Sequence, residues 1–448
     1  MTLRFGTDGV RGVANLDLTP ELVTAFGRAA ARVLDCNQFV IGRDTRVSGP
    51  MLEVALAAGL ASEGVTVSTM GVVPTPAVAW TAAHERVGGA MISASHNKYP
   101  DNGIKLFAPG GRKLRDEVES ALEAELDRLV HQGNDASAAP TGDAVGTINA
   151  APEHLLGYAD SVVDSLEGRD LAGLRVVVDC ANGSATTIAP HVVRRLGADV
   201  VTMHAEPNGT NINEACGSTH PDDLRKAVVD EHADVGLAFD GDADRVVAVD
   251  ADGEVVDGDQ IIAISAVDLR ERGRLRNDTV VVTVMTNLGF RRAMAEHGIA
   301  VEETAVGDRF VLDALEAGGH SLGGEQSGHV IFTDLATTGD GLLTGVHLLD
   351  AVHRSGRTLR ELAGVMTRFP QVLRNVRIGV AGADIIDLDD RLAPDLSAAR
   401  DSLGQDGRIL VRRSGTEPLM RVMVEAKTIE EAQAVADRLA AAVTAAAT

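Results

Sequence analysis

Two polar segments of this 448-residue chain combine residue types that could transfer a phosphoryl group. The first, residues 90–97, is an apolar run that ends in the tract Ser-Ala-Ser-His-Asn, with Ser95 as its second serine. The second segment places three carboxylates at alternate positions, at Asp240, Asp242 and Asp244. A hydroxyl nucleophile beside a divalent-cation site is the chemistry of a phosphoryl group carried on serine.

The acidic tract is best explained as a metal site. In an extended segment alternate side chains face one side, and three carboxylates held that close repel one another unless a cation offsets them. An EF-hand is excluded because Arg245 and Ala251 stand where its loop needs Gly and Glu. Ligands that are all oxygen favour Mg²⁺, one per subunit, over Zn²⁺. A solvated acidic turn is the alternative.

Ser95 is predicted to lie in a polar turn after an apolar strand. No Gly-x-Ser-x-Gly elbow surrounds it, which argues against a hydrolase of that type. The adjacent His96 does not indicate a catalytic triad, because triad partners meet in space rather than in sequence. Alone, such a turn would more often be structural, but the acidic tract favours a nucleophile.

Composition limits the partners. A formal charge of −24 argues against nucleic acid and anionic membrane, so cations that bind a phosphorylated small molecule must be concentrated locally. The three cysteines, Cys36, Cys180 and Cys216, form no CxxC pair, which indicates a reduced, cytoplasmic compartment. We expect neither a signal peptide nor an apolar run of the ~20 residues that span a bilayer. A homodimer is the working expectation for the assembly.

The order of predicted elements indicates an α/β fold. A strand, a helix-like segment, a glycine and a short strand occur three times, with the first strands near residues 39, 176 and 281. This order implies parallel pairing and right-handed crossovers. We predict three tandem, related, mixed-sheet α/β domains and a small C-terminal α+β domain, with residues 131–150 as a linker. The predicted domains are residues 1–150, 151–250, 251–366 and 367–448.

Four motifs in this order resemble those of the α-D-phosphohexomutase superfamily. Residues 93–105 resemble its active-serine loop, 240–245 its metal loop, 324–329 its sugar-binding loop and 412–418 its phosphate-binding loop. The resemblance covers essentially the whole chain. One departure is Lys98, where the family commonly has proline. Its loss could loosen the serine loop but removes no catalytic group.

The resemblance implies a role for each domain. The four would carry, in order, the phosphoserine, the metal, the sugar site and the phosphate site, with a hexosamine 1,6-bisphosphate as intermediate and primer. Ser95 would carry the phosphoryl group and complete the metal site of Asp240, Asp242 and Asp244. The groups expected in catalysis are Ser95, Lys105, His329 and Arg11. The residues expected to bind substrate are Arg245, Gly307, Glu325, Gln326, Ser327, Arg412, Ser414, Gly415, Thr416 and Arg421.

Two features favour an amino sugar as substrate. They are the opening tract of residues 5–12 and Gln326, where phosphomannomutase/phosphoglucomutase relatives usually carry methionine. The expected reaction is interconversion of glucosamine 6-phosphate and glucosamine 1-phosphate, which feeds amino-sugar nucleotide and cell-wall precursor synthesis. A phosphomannomutase/phosphoglucomutase remains the alternative. A silent sugar-phosphate-binding protein is disfavoured by the intact Ser95 and Lys105, and a phosphoserine phosphatase-like hydrolase would require water to reach the phosphoserine.

Overall fold

A computed structural model describes residues 5–6, 9–132, 139–377, 386–413 and 419–446. The chain divides into two compact units, the first of residues 1–285 and 299–365, the second of residues 286–298 and 366–448. In the part of the chain that is described, no helix is both long and apolar enough to cross a membrane.

The first sheet of the larger unit is mixed, and its described strands run in the order β1-β5-β4-β2-β3-β7, with β6 paired to β5. β2 is parallel to β3 and β4, whereas β5 is antiparallel to β4. The strands are β1 (Val10–Val13), β2 (Gln38–Arg43), β3 (Thr66–Val72), β4 (Gly88–Ile92), β5 (Asp101–Ala108), β6 (Arg112–Lys113) and β7 (Ile148–Ala150). The helices are α1 (Pro20–Leu34), α2 (Gly49–Ala61), α3 (Thr75–Glu85) and α4 (Asp116–Gln132).

Helices cover both faces of this sheet. Val23 of α1, Leu52 of α2 and Leu122 of α4 share one buried cluster with Ile41 of β2. At the next residue, Gly42, a Cβ would point to the opposite face and meet side-chain atoms of Val73 and of Val78 in α3. Because β2 and β4 are parallel and buried on both faces, the turns that follow them meet at one edge of the sheet.

The prediction of a linker over residues 131–150 is wrong at both ends. His131 lies in the last turn of α4, and β7 pairs in parallel with β3, with Ile148 opposite Val67. β7 has three residues, all exposed, so it leaves no alternating pattern in the sequence. Backbone hydrogen bonds to a sheet edge, which need no particular side chains, add it to the sheet.

The second sheet has the strand order β12-β11-β10-β8-β9. β8 is parallel to β9 and β10, and β11 is antiparallel to β10. The strands are β8 (Arg175–Asp179), β9 (Asp199–Met203), β10 (Val235–Phe239), β11 (Val246–Asp250) and β12 (Val255–Val256). The helices are α5 (His154–Asp164), α6 (Ala185–Arg195) and α7 (Asp222–Asp230).

The third sheet has the order β14-β13-β15-β16. Its strands are β13 (Thr279–Thr283), β14 (Ala300–Thr304), β15 (Leu322–Gly324) and β16 (Val330–Phe332). The accompanying helices of the larger unit are α8 (Gly258–Glu271), α10 (Asp308–Gly318), α11 (Gly341–Ser355) and α12 (Leu359–Ala363), while α9 (Leu288–Glu296) belongs to the smaller unit. The pairs β2–β3, β8–β9 and β13–β14 are all parallel, which confirms the predicted threefold repeat.

The smaller unit contains an antiparallel sheet of order β17-β19-β18. Its elements are β17 (Gln371–Arg377), α13 (Ile386–Leu403), β18 (Arg408–Arg413), β19 (Leu419–Glu425) and α14 (Ile429–Ala446). Val422 and Val424 of β19 pack against Leu439 of α14 in its core. The predicted fold class, three α/β domains and a C-terminal α+β domain, is confirmed.

A partly buried histidine in α11 makes the stability of the larger unit depend on pH. The His347 ring stacks on Phe332, and its Nε2 lies 3.1 Å from Ser165 Oγ. Burial lowers the pKa of His347 from 6.5 to about 4. The unfolded chain therefore binds a proton that the folded chain excludes, so stability present above pH 6.5 is lost as the pH falls toward about 4.

We expect the midpoint temperature of thermal unfolding to decrease as the pH is lowered from about 7 to about 5. This decrease should be smaller in His347→Gln than in the wild type. The matched control is His191→Gln, at an exposed histidine of α6. Unfolding followed by circular dichroism at both pH values measures the difference. An equal pH dependence in wild type and His347→Gln would contradict the assignment.

Candidate active site

Ser95 lies in the turn that follows β4, in the left-handed region with a φ of 50°. Its backbone N–H donates to Ser93 Oγ at 2.9 Å, which holds this unusual conformation. The Ser95 hydroxyl is fully buried and donates to Oδ2 of Asp240 at 2.5 Å. The predicted nucleophile and the predicted metal loop are thus in direct contact.

Two side chains brace the carbonyl side of this turn. Arg46 and Asn213 each donate to the backbone carbonyl oxygens of both Ser95 and Asn97, over 2.5–3.2 Å. Arg46 is fully buried and pairs with the equally buried Asp44. These bonds hold the turn immediately before Lys98, where the resemblance leads one to expect proline.

Neither Arg46 nor Asn213 is predicted from the sequence as a site residue. A signal existed for Arg46, since residues 43–46 form a polar tract directly after a buried strand. For Asn213, in the long segment between β9 and α7, no comparable signal was present.

We expect Arg46→Lys to reduce kcat by between about ten- and a hundred-fold, with a smaller change in KM. Lysine keeps the charge beside Asp44 but cannot bond two carbonyls as the guanidinium fork does, so the Ser95 turn loses its position. Steady-state kinetics on the folded variant measures the split. Arg43→Lys, at a partly exposed arginine paired with Glu53, is the control. An unchanged kcat in Arg46→Lys would show that the turn does not need this brace.

The acidic tract is a turn between β10 and β11 rather than an extended segment. Ala243, with a φ of 55°, reverses the chain in its middle. A close approach also requires Gly241, because a Cβ there would lie 2.6 Å from the carbonyl oxygen of Ser95. The carboxylates of Asp240, Asp242 and Asp244 nevertheless converge, with one oxygen of each within 4.8 Å of the others.

The oxygen atoms of this triad fit a cation. Oδ2 of Asp242 accepts from Thr75 Oγ1 at 2.6 Å and from Lys105 Nζ at 2.8 Å, and Oδ2 of Asp244 accepts from the same Nζ at 3.1 Å. Within the described residues, Oδ1 of Asp242 and Oδ1 of Asp244 are buried without a hydrogen-bond partner. Buried carboxylate oxygens without a donor are costly, and a hard divalent cation would satisfy them.

Electrostatic interactions shift the pKa values of Asp240 and Asp244 in opposite directions. Burial, followed by the charges of Asp244 and Asp242, raises the pKa of Asp240 well above its usual value. Burial acts in the same direction on Asp244, but Lys105 and His329 outweigh it and hold the pKa of Asp244 well below its usual value. A bound cation would favour the ionised form of Asp240 as well.

Lys105 and His329 are both buried at the triad. Lys105 lies on β5 opposite Met91. His329 Nδ1 lies 3.7 Å from Asp244 Oδ2, and its Nε2 accepts the backbone N–H of Gly339 at 3.2 Å. In a neutral ring that bond places the proton on Nδ1, facing Asp244.

Two arginines add positive charge near the serine. Arg245 Nη1 lies 3.3 Å from Nδ1 of His96. Arg11, on β1, pairs with Gly103 of β5. Burial and then the charges of Arg245 and Arg11 lower the pKa of His96. Both effects favour the neutral form of the imidazole beside Ser95.

The loop of residues 324–329 is joined to the metal loop by a hydrogen bond from Val246 N–H to the Gly328 carbonyl, at 3.1 Å. Glu325 Oε1 accepts the backbone N–H of Gly307 at 3.0 Å. Gln326 Nε2 donates to Oδ2 of Asp257 at 3.3 Å, and Ser327 is exposed. The structure thus joins Glu325 to Gly307, and joins the loop of residues 324–329 to the strand that follows the acidic triad.

The predicted phosphate residues belong to the smaller unit. Arg412 of β18 stands directly opposite Arg421 of β19. Burial and the charge of Arg421 lower the pKa of Arg412, so the pair concentrates positive charge. Ser414, Gly415 and Thr416 lie outside the described residues.

Comparisons with known families agree with this architecture. The four domains of the phosphoglucomutase/phosphomannomutase family match in order: alpha/beta/alpha domain I at residues 2–132, domain II at 156–253, domain III at 257–369 and the C-terminal domain at 359–442. Fold and site therefore define a phosphohexomutase, an intramolecular phosphotransferase.

Two relatives with high sequence identity to this chain belong to one subclass of the phosphohexomutases. The phosphoglucosamine mutase of Thermobifida fusca is 54% identical over 450 residues, covering 98% of each chain. That of Frankia alni is 54% identical over 461 residues, covering 100% of this chain and 99% of the relative. The chain belongs to the phosphoglucosamine mutase family.

Solved structures share the fold over its whole length. A phosphoglucomutase/phosphomannomutase family protein from Burkholderia thailandensis is 26% identical with a TM-score of 0.82, covering 100% of this chain and 98% of that one. The N-acetylphosphoglucosamine mutase of Aspergillus fumigatus, solved with GlcNAc-6P and magnesium, is 19% identical with a TM-score of 0.70, covering 100% and 96%. At that identity the second likeness concerns the fold alone.

Proposed function

We propose that this enzyme interconverts glucosamine 6-phosphate and glucosamine 1-phosphate through a phosphoserine at Ser95 and a hexosamine 1,6-bisphosphate. The observation that carries the mechanism is the buried Ser95 hydroxyl, 2.5 Å from Asp240 in the acidic triad. The choice of sugar is supported by relatives that are 54% identical over the whole chain.

Each half-reaction exchanges one phosphorus–oxygen bond for another. The bond from phosphorus to Ser95 Oγ breaks while a bond to a sugar hydroxyl oxygen forms, and the hydroxyl proton is finally returned to Ser95 Oγ. Lys105 and His329 are the groups assigned to move that proton, since both are buried beside the triad. The bisphosphate then turns over and returns its other phosphoryl group to Ser95.

The chain neutralises the charge that this exchange develops. Asp240, Asp242 and Asp244, with a phosphoryl oxygen on Ser95, would hold Mg²⁺, which when bound supplies Lewis-acid polarisation of phosphorus. Lys105, Arg245 and Arg11 add positive charge around the serine. Because Ser95 is buried, water has limited access to the phosphoryl group and hydrolysis is disfavoured. Glu325, Gln326 and Ser327 are the proposed sugar contacts, with Arg412, Arg421 and residues 414–416 for the distal phosphate.

Composition and cysteine usage bear on the partners and the location of the enzyme. The substrate is a small sugar phosphate, and the net charge of −24 disfavours nucleic acid and anionic membrane as partners. Cysteines kept as free thiols support a cytoplasmic location. A homodimer remains the expected assembly.

Parallel assays with glucosamine 1-phosphate, glucose 1-phosphate and mannose 1-phosphate test the substrate. We expect kcat/KM for the amino sugar to exceed the other two by roughly ten-fold or more. The reason is that the carboxylate of Glu325 favours an ammonium at C2. A preference for mannose 1-phosphate would overturn the substrate while leaving the mutase chemistry in place.

We expect Gln326→Met to narrow that preference. The Gln326 amide can donate and accept and is oriented by Asp257, whereas methionine offers only a weak sulfur acceptor. The ratio of kcat/KM between glucosamine and glucose phosphates measures the change, which we expect to be a few-fold or more. Gln260→Met, at a glutamine of the neighbouring α8, is the control. An unchanged ratio would mean that Gln326 does not set the preference.

A further inference from the structure

Three metal-ligating side chains that the proposed mechanism does not use meet at the edge of the second sheet. Asp179 ends β8, His204 directly follows β9, and Cys216 lies in the segment that leads to α7. One ligand atom from each lies within 4.8 Å of the other two. Asp179 and Cys216 are fully buried, while the His204 side chain is 24% exposed and so gives access from solvent.

Backbone bonds hold the carboxylate of this cluster in place. Oδ1 of Asp179 accepts the N–H of Ala181, and Oδ2 accepts the N–H of Gly217, each at 2.9 Å. Oδ2 therefore faces the loop that carries Cys216. A carboxylate held in this way needs little rearrangement to bind an ion.

The histidine presents one ring nitrogen to the carboxylate. Nδ1 of His204 lies 3.1 Å from Oδ2 of Asp179. The other nitrogen, Nε2, lies 3.6 Å from Oδ2 of Asp223. A carboxylate behind the second nitrogen is the usual support of a histidine that binds a metal through the first.

We propose that Asp179, His204 and Cys216 form a binding site for Zn²⁺, separate from the aspartate triad. The donor set of carboxylate oxygen, imidazole nitrogen and thiolate sulfur selects a borderline transition metal over Mg²⁺. Zinc binds such ligands at about 2.0–2.3 Å in tetrahedral geometry, so neighbouring ligand atoms stand roughly 3–4 Å apart. The ligand atoms of the cluster lie within 4.8 Å of one another, so side-chain rotation would bring them to that spacing, with a water in the fourth position.

Occupancy of this site would act on the backbone of the metal loop. Ser184 N–H donates to the Gly241 carbonyl at 2.8 Å, and Ser218 N–H donates to the Phe239 carbonyl at 2.9 Å. These two bonds join the segments that carry the cluster to the residues on either side of Asp240. The proposed zinc site is thus linked through two backbone hydrogen bonds to the segment that carries the catalytic carboxylates.

The test is a Co²⁺ titration of the whole enzyme with Mg²⁺ in excess. A metal bound to Cys216 would displace the thiol proton and leave a thiolate ligand. We expect one equivalent of Co²⁺ to produce a thiolate-to-cobalt charge-transfer band in the near ultraviolet, which Zn²⁺ then removes. The aspartate triad contains no sulfur, so it cannot produce this band.

Variants assign the ligands. Cys216→Ser should abolish the band, and His204→Gln should weaken Co²⁺ binding by roughly ten-fold or more. Cys180→Ser, at a buried cysteine outside the cluster, and Asp242→Asn should both retain it. Circular dichroism checks folding. If Cys216→Ser does not fold, His204→Gln, at the partly exposed ligand, provides the test. A folded wild type without the band, or a band that survives in Cys216→Ser, would overturn the site without touching the mutase proposal.

Discussion

Ser95→Ala should lose mutase turnover by at least about a thousand-fold and lose the covalent phosphate expected on the wild-type enzyme. The alanine removes the oxygen to which phosphorus is proposed to bond, and no other described hydroxyl takes its place against Asp240. Steady-state assays measure turnover, and intact mass with peptide mapping locates the phosphate. Residual activity in the presence of free bisphosphate would be consistent with the mechanism.

The control for Ser95 is Ser184→Ala. Ser184 is also buried and its backbone bonds the metal loop, but among the described residues its hydroxyl has no hydrogen-bond partner. We expect near-normal turnover and phosphate content in that variant. Normal turnover in Ser95→Ala itself would reject the phosphoserine mechanism.

Asp242→Asn should lower turnover by more than about a hundred-fold and raise the Mg²⁺ concentration needed for half-maximal activity. Asparagine preserves the size of the side chain and can still accept from Thr75 and Lys105, but it removes one negative charge from the cation site. The remaining two carboxylates cannot offset the cation as well. Activity measured across a Mg²⁺ titration separates lost affinity from lost catalysis.

Asp252→Asn is the matched control, since Asp252 is an exposed aspartate in the turn after β11 that pairs with Arg360. Its Mg²⁺ dependence should equal that of wild type. Full activity of Asp242→Asn at wild-type Mg²⁺ concentrations, or full wild-type activity in excess EDTA, would refute the metal assignment.

The sequence by itself determined the fold class and most of the chemistry. Apolar runs such as residues 235–239 predict buried strands, because strands covered on both faces must be apolar throughout. The three alternate aspartates and Ser95 were identified from residue type and spacing. Each of these motifs follows the carboxyl end of a strand, β4 or β10, which is where α/β domains bind ligands.

Only the tertiary structure decided which distant groups share a site. The alternation of side chains along β5 does not predict whether Lys105 is buried or exposed. Its burial depends on contacts with Asp242 and Asp244, in a loop more than 130 residues away. The bracing of Ser95 by Arg46 and Asn213 is non-local in the same way.

The aspartates show the limit even within one motif. Their convergence was expected from an extended chain, but it is produced by a turn at Ala243. Asp179, His204 and Cys216 are separated by up to 37 positions and match no metal motif, yet β8, β9 and the following loop bring their ligand atoms within 4.8 Å. Spacing in sequence predicts contacts only within one element. Contacts between elements depend on how the strands, helices and loops pack in the folded chain.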